Sequence, residues 1–128
     1  MAKVILIVDD DPKSLKLTRD LLEANGYATI EATDGTQAIG LAKVKKPDLI
    51  LMDITMPVMD GLEASRLLKG DAMTKEIPII ALTASAMKGT GEKIRQEAGC
   101  DGYITKPIDI QQLLEEVSEH LRGEPRNA

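Results

Sequence analysis

Aromatic side chains are almost missing from this chain: there is no Trp, no Phe, and only Tyr27 and Tyr103. A core must therefore be packed with Ile, Leu, Val, Ala and Met, and a flavin or nucleobase that needs an aromatic platform finds almost none. Cys100 is the single cysteine, so no intramolecular disulfide can form. No apolar run approaches the roughly 20 residues that span a bilayer, and residues 1 to 8 lack the plan of a signal peptide. The expected location is the cytoplasm, without a membrane partner. Positive charge is in deficit as well, since 16 Lys and Arg against 21 Asp and Glu leave a net charge of −5, which argues against a nucleic-acid surface.

What is present fits one domain. A chain of 128 residues suits a single core, and 43% apolar with 29% charged residues is the balance of a soluble globular protein. Short aliphatic runs alternate with amphipathic stretches. VILIV (4 to 8) reads as a strand, followed by helical spacing at Leu15, Thr18, Leu21 and Leu22 that Asn25-Gly26 ends. YATIEA (27 to 32) is a second strand, Asp34-Gly35 a turn or cap, and Thr36 to Lys46 a helix with Ala38, Ile39 and Ala42 inward, broken by Pro47. DLILMD (48 to 53) gives a third strand and Gly61 to Lys69 a helix. IPIIALT (77 to 83) is a fourth strand, with Pro78 tolerable near its beginning. Met87, Gly91, Ile94 and Ala98 outline a helix weakened at its start by Gly89 and Gly91. GYIT (102 to 105) is a fifth strand, and Ile110, Leu113, Leu114, Val117 and Leu121 form the cleanest helical stripe before the polar tail GEPRNA.

Five β-to-α alternations imply an α/β fold, (βα)5, with a parallel sheet wound by helices on both faces. Such sheets bind ligands beyond the carboxyl ends of their strands. That edge gathers Asp9, Asp10 and Asp11 after the first strand, Asp53 within MDITMPVMDG after the third, Thr83 after the fourth, and Lys106-Pro107 after the fifth. A both-face-buried run that stops at three consecutive aspartates crowds like charges, and something must compensate their repulsion.

These residues resemble the receiver domain of two-component response regulators: VDDD, LILMDITMPVMDG, ALTASA and YITKP occur in that order over nearly the whole chain, each at a strand end. The resemblance is to the stand-alone, single-domain type found among chemotaxis and cell-cycle regulators. It implies a flavodoxin-like doubly wound sheet of strand order 2-1-3-4-5, with residues 1 to 122 as the receiver domain and 123 to 128 as a polar tail. Asp53 is then the phosphoryl acceptor, because a carboxylate can form an aspartyl phosphate and the end of a buried strand fixes it for in-line attack. The plainer reading of Asp53 is a helix N-cap, which the motifs around it outweigh. Asp9, Asp10 and Asp53 make a hard oxygen cage suited to Mg²⁺, which offsets their repulsion. By the resemblance Asp10 and Asp53 bind the ion directly, Asp9 acts through water, and Thr55 lends its backbone carbonyl. Asp11, before Pro12, is a helix-start residue rather than a ligand.

Thr83 and Lys106 are implied to bind phosphoryl oxygens by hydroxyl and cation. Separately they read as an ordinary β-branched strand residue and a solvated lysine, and the joint motif reverses that. Lys106-Pro107 resembles the family's cis peptide. Tyr103 matches the family aromatic that turns inward with Thr83, against the plainer reading of a sheet-edge residue. Thr55 and Ser85 flank the path of attacking water and are expected to tune the lifetime of the phosphoaspartate, while Ala84 leaves the site open to a partner. The only histidine, His120, sits among Glu115, Glu116 and Glu119 and reads as a solvated surface residue, so the chain receives phosphate and is no histidine phosphodonor.

The implied partners are a sensor histidine kinase or histidine phosphotransfer protein upstream and a protein target downstream. That target is bound through the face made by the 87 to 98 helix, the fifth strand and the last helix, with phosphorylation-dependent homodimerisation as a further option. Such a switch is not an enzyme beyond its own phosphorylation and dephosphorylation. Two other classes compete. An aspartate-based, Mg²⁺-dependent phosphatase usually needs DxDxT and substrate-covering insertions, whereas MDITMP lacks the second aspartate. A flavodoxin-like nucleotide or flavin carrier needs a phosphate cradle where this chain has DDD.

Overall fold

The computed structural model describes residues 3–53, 61–83, 99–105 and 108–122. Its elements run β1 (Val4–Val8), α1 (Pro12–Ala24), β2 (Ala28–Ala32), α2 (Gly35–Lys45), β3 (Leu49–Asp53), α3 (Gly61–Lys69), β4 (Ile79–Thr83), β5 (Gly102–Thr105) and α4 (Ile110–Arg122). The five strands form one parallel sheet in the order β2-β1-β3-β4-β5, as expected. The helix expected through Met87, Gly91, Ile94 and Ala98 lies outside the described residues, as do Thr55, Ala84, Ser85, Lys106 and Pro107.

Alternation along the strands divides the core into two layers. Leu6, Val8, Ile50, Met52, Ile79 and Ala81 pack on one face with Ala38 and Ala42 of α2 and Ala64 and Leu68 of α3. Ile5, Ile7, Leu49, Leu51, Ile80 and Leu82 pack on the other with Leu15 and Leu22 of α1 and Leu113 and Val117 of α4. Because both faces are covered, β3 and β4 are buried at every residue, which explains their unbroken apolar runs. Each fully buried Leu or Ile contributes about 1.5–3 kcal/mol of transfer free energy, so this doubly covered sheet is the main source of stability.

Local chemistry sets the helix ends. Asp11 is the N-cap of α1, its carboxylate accepting from the Lys13 N–H, and Pro12 occupies the first turn where its missing N–H costs nothing. Asn25 closes that helix and Gly26 follows with φ +91. Asp34 caps α2 by accepting from the Gln37 N–H, and Asp109 caps α4 by accepting from the Gln112 N–H. Several boundaries differ slightly from expectation. Helix α2 ends at Lys45, because Lys46 turns left-handed (φ 48) ahead of Pro47. Strand β3 starts at Leu49, since the Asp48 carboxylate accepts from the Val4 N–H at 2.7 Å and caps the neighbouring strand. Strand β4 starts at Ile79 after Pro78, whose carbonyl accepts from the Ile50 N–H but which has no N–H to donate. Ile110, expected on the inner stripe of α4, is 52% exposed, whereas Leu113 and Val117 are buried.

His120 also departs from the reading of a solvated surface residue. Its ring is half-buried between α4 and the start of β5, with Nδ1 2.9 Å from the Glu116 carbonyl oxygen and Nε2 3.3 Å from that of Asp101. The partner that draws it inward is a backbone carbonyl 19 residues away.

Candidate phosphoacceptor and metal site

Strand register brings the acidic residues to one place. Val8 of β1 pairs with Met52 of β3, so Asp9, one residue beyond β1, stands level with Asp53 at the end of β3. Asp53 in turn pairs with Leu82, which puts Thr83 one step further along β4, abreast of Thr105 at the end of β5. Asp9 and Asp53 continue the alternation that carries Ile5 and Ile7, and Leu49 and Leu51, on the α1 and α4 face of the sheet.

Burial differs within the group. Asp9 is fully buried, Asp53 is 3% exposed and Thr83 2% exposed, while Asp10 is open to solvent. One carboxylate oxygen from each of Asp9, Asp10 and Asp53 lies within 4.8 Å of the others. The backbone N–H of Asp9 donates to the Ala32 carbonyl at 3.1 Å, tying the loop after β1 to the end of β2. Asp9 Oδ1 accepts from the Asp11 N–H at 3.0 Å. Asp11 therefore does two things: its side chain starts α1 while its backbone orients the buried carboxylate beside it. The second contact was not anticipated from sequence, where only the two-residue Asp-x-Asp spacing hints at such a turn.

The donor set decides what the cluster can hold. Three carboxylates that converge from two strand ends, two of them out of water, offer hard oxygen ligands with a surplus of negative charge. That set suits a small divalent cation such as Mg²⁺, which takes a few carboxylates and keeps several waters. It does not suit an anion, which the same charges would repel. Among the described residues this is the one group of three or more His, Cys, Asp or Glu side chains close enough to share an ion.

Tyr103, on β5 opposite Ala81, is half-buried against the core layer that α2 and α3 cover. It lies one strand residue from Ile104, which belongs to the opposite layer. The structure thus brings Asp9, Asp10 and Asp53 together, sets Thr83 at the same sheet edge and Tyr103 partly inside. The positions expected for Thr55, Ser85, Lys106 and Pro107 fall outside the described residues.

This carboxyl-edge arrangement coincides with a family match. Residues 5–118 fit the response regulator receiver domain. The chain belongs to the response regulator receiver family. It is 48% identical over 121 residues to the polar-differentiation response regulator DivK of Brucella anthropi, a match covering 94% of this chain and 98% of that protein. Among solved structures it is similar to a putative response regulator from Chloroflexus aurantiacus, with a TM-score of 0.91 and 28% identity over 96% of this chain and all of that one. It is also similar to the receiver domain of the sensor histidine kinase PA1611 from Pseudomonas aeruginosa, with a TM-score of 0.88 and 32% identity over 96% of this chain and 100% of that one. That structure has a magnesium ion coordinated in its active-site cleft. Receiver domains are signalling switches of two-component systems and generally not enzymes. No helix among the described residues is long and apolar enough to cross a membrane.

Proposed function

We propose that this receiver accepts a phosphoryl group on Asp53 with Mg²⁺ held by Asp9, Asp10 and Asp53. The observation that carries the reading is the convergence of those three carboxylates within 4.8 Å, with Asp53 at the buried end of a central strand. The magnesium-bearing cleft of the similar Pseudomonas receiver supports it. A carboxylate oxygen of Asp53 attacks phosphorus in line, a new O–P bond forms, and the P–N bond to a phosphohistidine donor breaks with its electron pair left on the imidazole. The metal, when bound, neutralises charge on the transferring group and on the crowded carboxylates. Asp53 supplies the nucleophile, Asp10 and Asp53 ligate directly, and Asp9 acts through water. Thr55 lends a carbonyl.

Thr83 donates its hydroxyl to a phosphoryl oxygen and Lys106 contributes a cation, so both engage the new group more than the free carboxylate. Tyr103 follows Thr83, and the β5 and α4 side of the molecule presents the resulting state to a protein target. The donor is a histidine kinase or phosphotransfer protein, and the compartment is the cytoplasm. Thr55 and Ser85 set the lifetime of the phosphoaspartate. An aspartate-based phosphatase is disfavoured by MDITMP, which lacks the second aspartate such enzymes use as general acid.

Intact-mass analysis with acetyl phosphate tests the assignment. With Mg²⁺ the protein gains one phosphoryl group, EDTA prevents the gain and Asp53→Asn abolishes it. Undiminished labelling of the variant, or sustained phosphate release from small phosphomonoesters, would sink this reading.

A further inference from the structure

Asp11 joins a buried carboxylate of the acidic cluster to the start of a helix. Its backbone N–H donates to Asp9 Oδ1 at 3.0 Å. Its own carboxylate accepts from the Lys13 N–H at 3.2 Å, and its carbonyl accepts from the Leu15 N–H at 2.9 Å. Asp9 is fully buried and Asp11 is exposed, so the contact runs from a surface residue into the site.

Local chemistry sets the direction of that N–H. A residue ahead of proline is driven out of the helical region toward extended backbone. Asp11 precedes Pro12 and holds φ −92 and ψ 114. Its bond to the Lys13 N–H fixes the same turn through the side chain. Helix α1 is itself seated on the sheet by Leu15 and Leu22, and Leu15 is the residue whose N–H holds the Asp11 carbonyl. A line of contacts therefore passes from the core through Leu15 and Asp11 to the Asp9 carboxylate. The backbone N–H of Asp9 is pinned separately, to the Ala32 carbonyl at 3.1 Å.

A carboxylate held by a fixed donor keeps one orientation, and a ligand that is already oriented need not be ordered when the ion arrives. Asp11 lies outside the three carboxylates that can share an ion. Its influence on them passes through its backbone, and its side chain acts by holding that backbone in place.

We infer that Asp11 is a positioning residue for the metal site, its helix cap holding the N–H that orients Asp9, so that the first turn of α1 and the affinity for Mg²⁺ are coupled. The inference rests on the metal-binding reading above. The coupling is reciprocal: what the cap contributes to metal binding, metal binding returns to the cap.

Calorimetric titration of the unphosphorylated protein with MgCl₂ alone, at fixed ionic strength, separates the cap from the charge. Asp11→Asn keeps a capping oxygen without the charge, Asp11→Glu keeps the charge on a side chain one methylene too long for the turn, and Asp11→Ala keeps neither. The Kd for Mg²⁺ should rise about 10-fold in the Ala and Glu variants, the lower end of what loss of an outer partner costs, and Asn should restore it. Asp34 caps α2 in the same way, accepting from the Gln37 N–H at 2.8 Å. Asp34→Ala removes one cap and one charge from a helix that holds no ligand, and should leave the Kd unchanged. A Kd that follows the charge, with Asn as weak as Ala and Glu like wild type, overturns the inference. Equal Kd values in all variants, or an equal loss in Asp34→Ala, overturn it too, and in each of these cases the metal site itself stands. Wild type that takes up no Mg²⁺ sinks the metal reading and this inference with it. Amide hydrogen exchange of wild type needs no variant: Mg²⁺ should slow the Asp11 and Lys13 amides more than the Gln37 amide, and slowing no greater than at Gln37 refutes the coupling.

Discussion

Removing one charge from the acidic cluster should make the metal-free protein more stable and the metal-loaded protein less so. Asp10 is the residue to change, because it is exposed and its replacement by Asn disturbs no buried packing. Its carboxylate has two like-charged neighbours, Asp9 and Asp53, with oxygens within 4.8 Å. At that separation each pair costs ~0.9 kcal/mol even at the dielectric constant of water, and a Debye length of ~8 Å at 0.15 M salt roughly halves it. Two pairs therefore sum to about 1 kcal/mol, or a rise in Tm of about 3–5 °C for Asp10→Asn without metal. Mg²⁺ at ~100 times its Kd stabilises a native-only binder by about 2.7 kcal/mol, close to a 10 °C shift in wild type. The variant, short of one ligand and one charge, should show a small fraction of that shift. Thermal melts of both proteins with and without Mg²⁺ at fixed ionic strength make the comparison. A variant that melts below wild type without metal, yet keeps the full Mg²⁺ shift, would mean that Asp10 is a structural carboxylate, and the metal-site argument would fail.

Three further perturbations address the scaffold around the site. Lys69 Nζ donates to the carbonyls of Ile77 at 2.8 Å and Lys75 at 3.2 Å and pairs with Asp101 at 2.8 Å. Lys69→Met should cost about 1–3 kcal/mol in urea denaturation, because three acceptors lose their donor, and a neutral result would show that water replaces it freely. Lys46 holds φ 48 at the end of α2; Lys46→Gly should raise stability by about 0.5–1 kcal/mol by relieving the left-handed strain, and destabilisation would mean that its side chain matters more than its backbone. The Asp71 carboxyl is held below its ordinary value by the Met73 N–H, then by Lys43. Its stabilisation is complete above about pH 4 and disappears as pH falls through the lowered value, so the gap between wild type and Asp71→Asn in acid melts should close below that pH.

How much of this was legible beforehand depended on whether the controlling contact was local. Val4–Val8 and Leu49–Asp53 were readable because burial on both faces demands continuous apolar residues. The caps Asp11, Asp34 and Gly26 were readable because helix ends take their partners within three residues. The strand order followed from the family resemblance and not from the alternation of elements. A physical clue to it existed, since β2 and β5, with Thr29, Glu31, Tyr103 and Thr105, are the least buried strands and lie at the two edges. Contacts between a side chain and a distant backbone left no trace in the sequence. Asp48 on Val4, Lys69 on the turn after α3, and His120 on Asp101 all join a charged or polar residue to a main-chain atom whose identity no side chain advertises. Ile110 fits the helical stripe of α4 by its spacing but stands exposed, because the core reaches only as far as Leu113 and Val117.

Trapping the acyl phosphate chemically tests the central claim most directly. Protein treated with acetyl phosphate and Mg²⁺ is reduced with borohydride, which converts a phosphoaspartate to homoserine, and the peptides are then sequenced by tandem mass spectrometry. The account predicts homoserine at position 53 alone, and none when EDTA is present. Homoserine at position 9 or 10, or at position 53 without a requirement for metal, would contradict it.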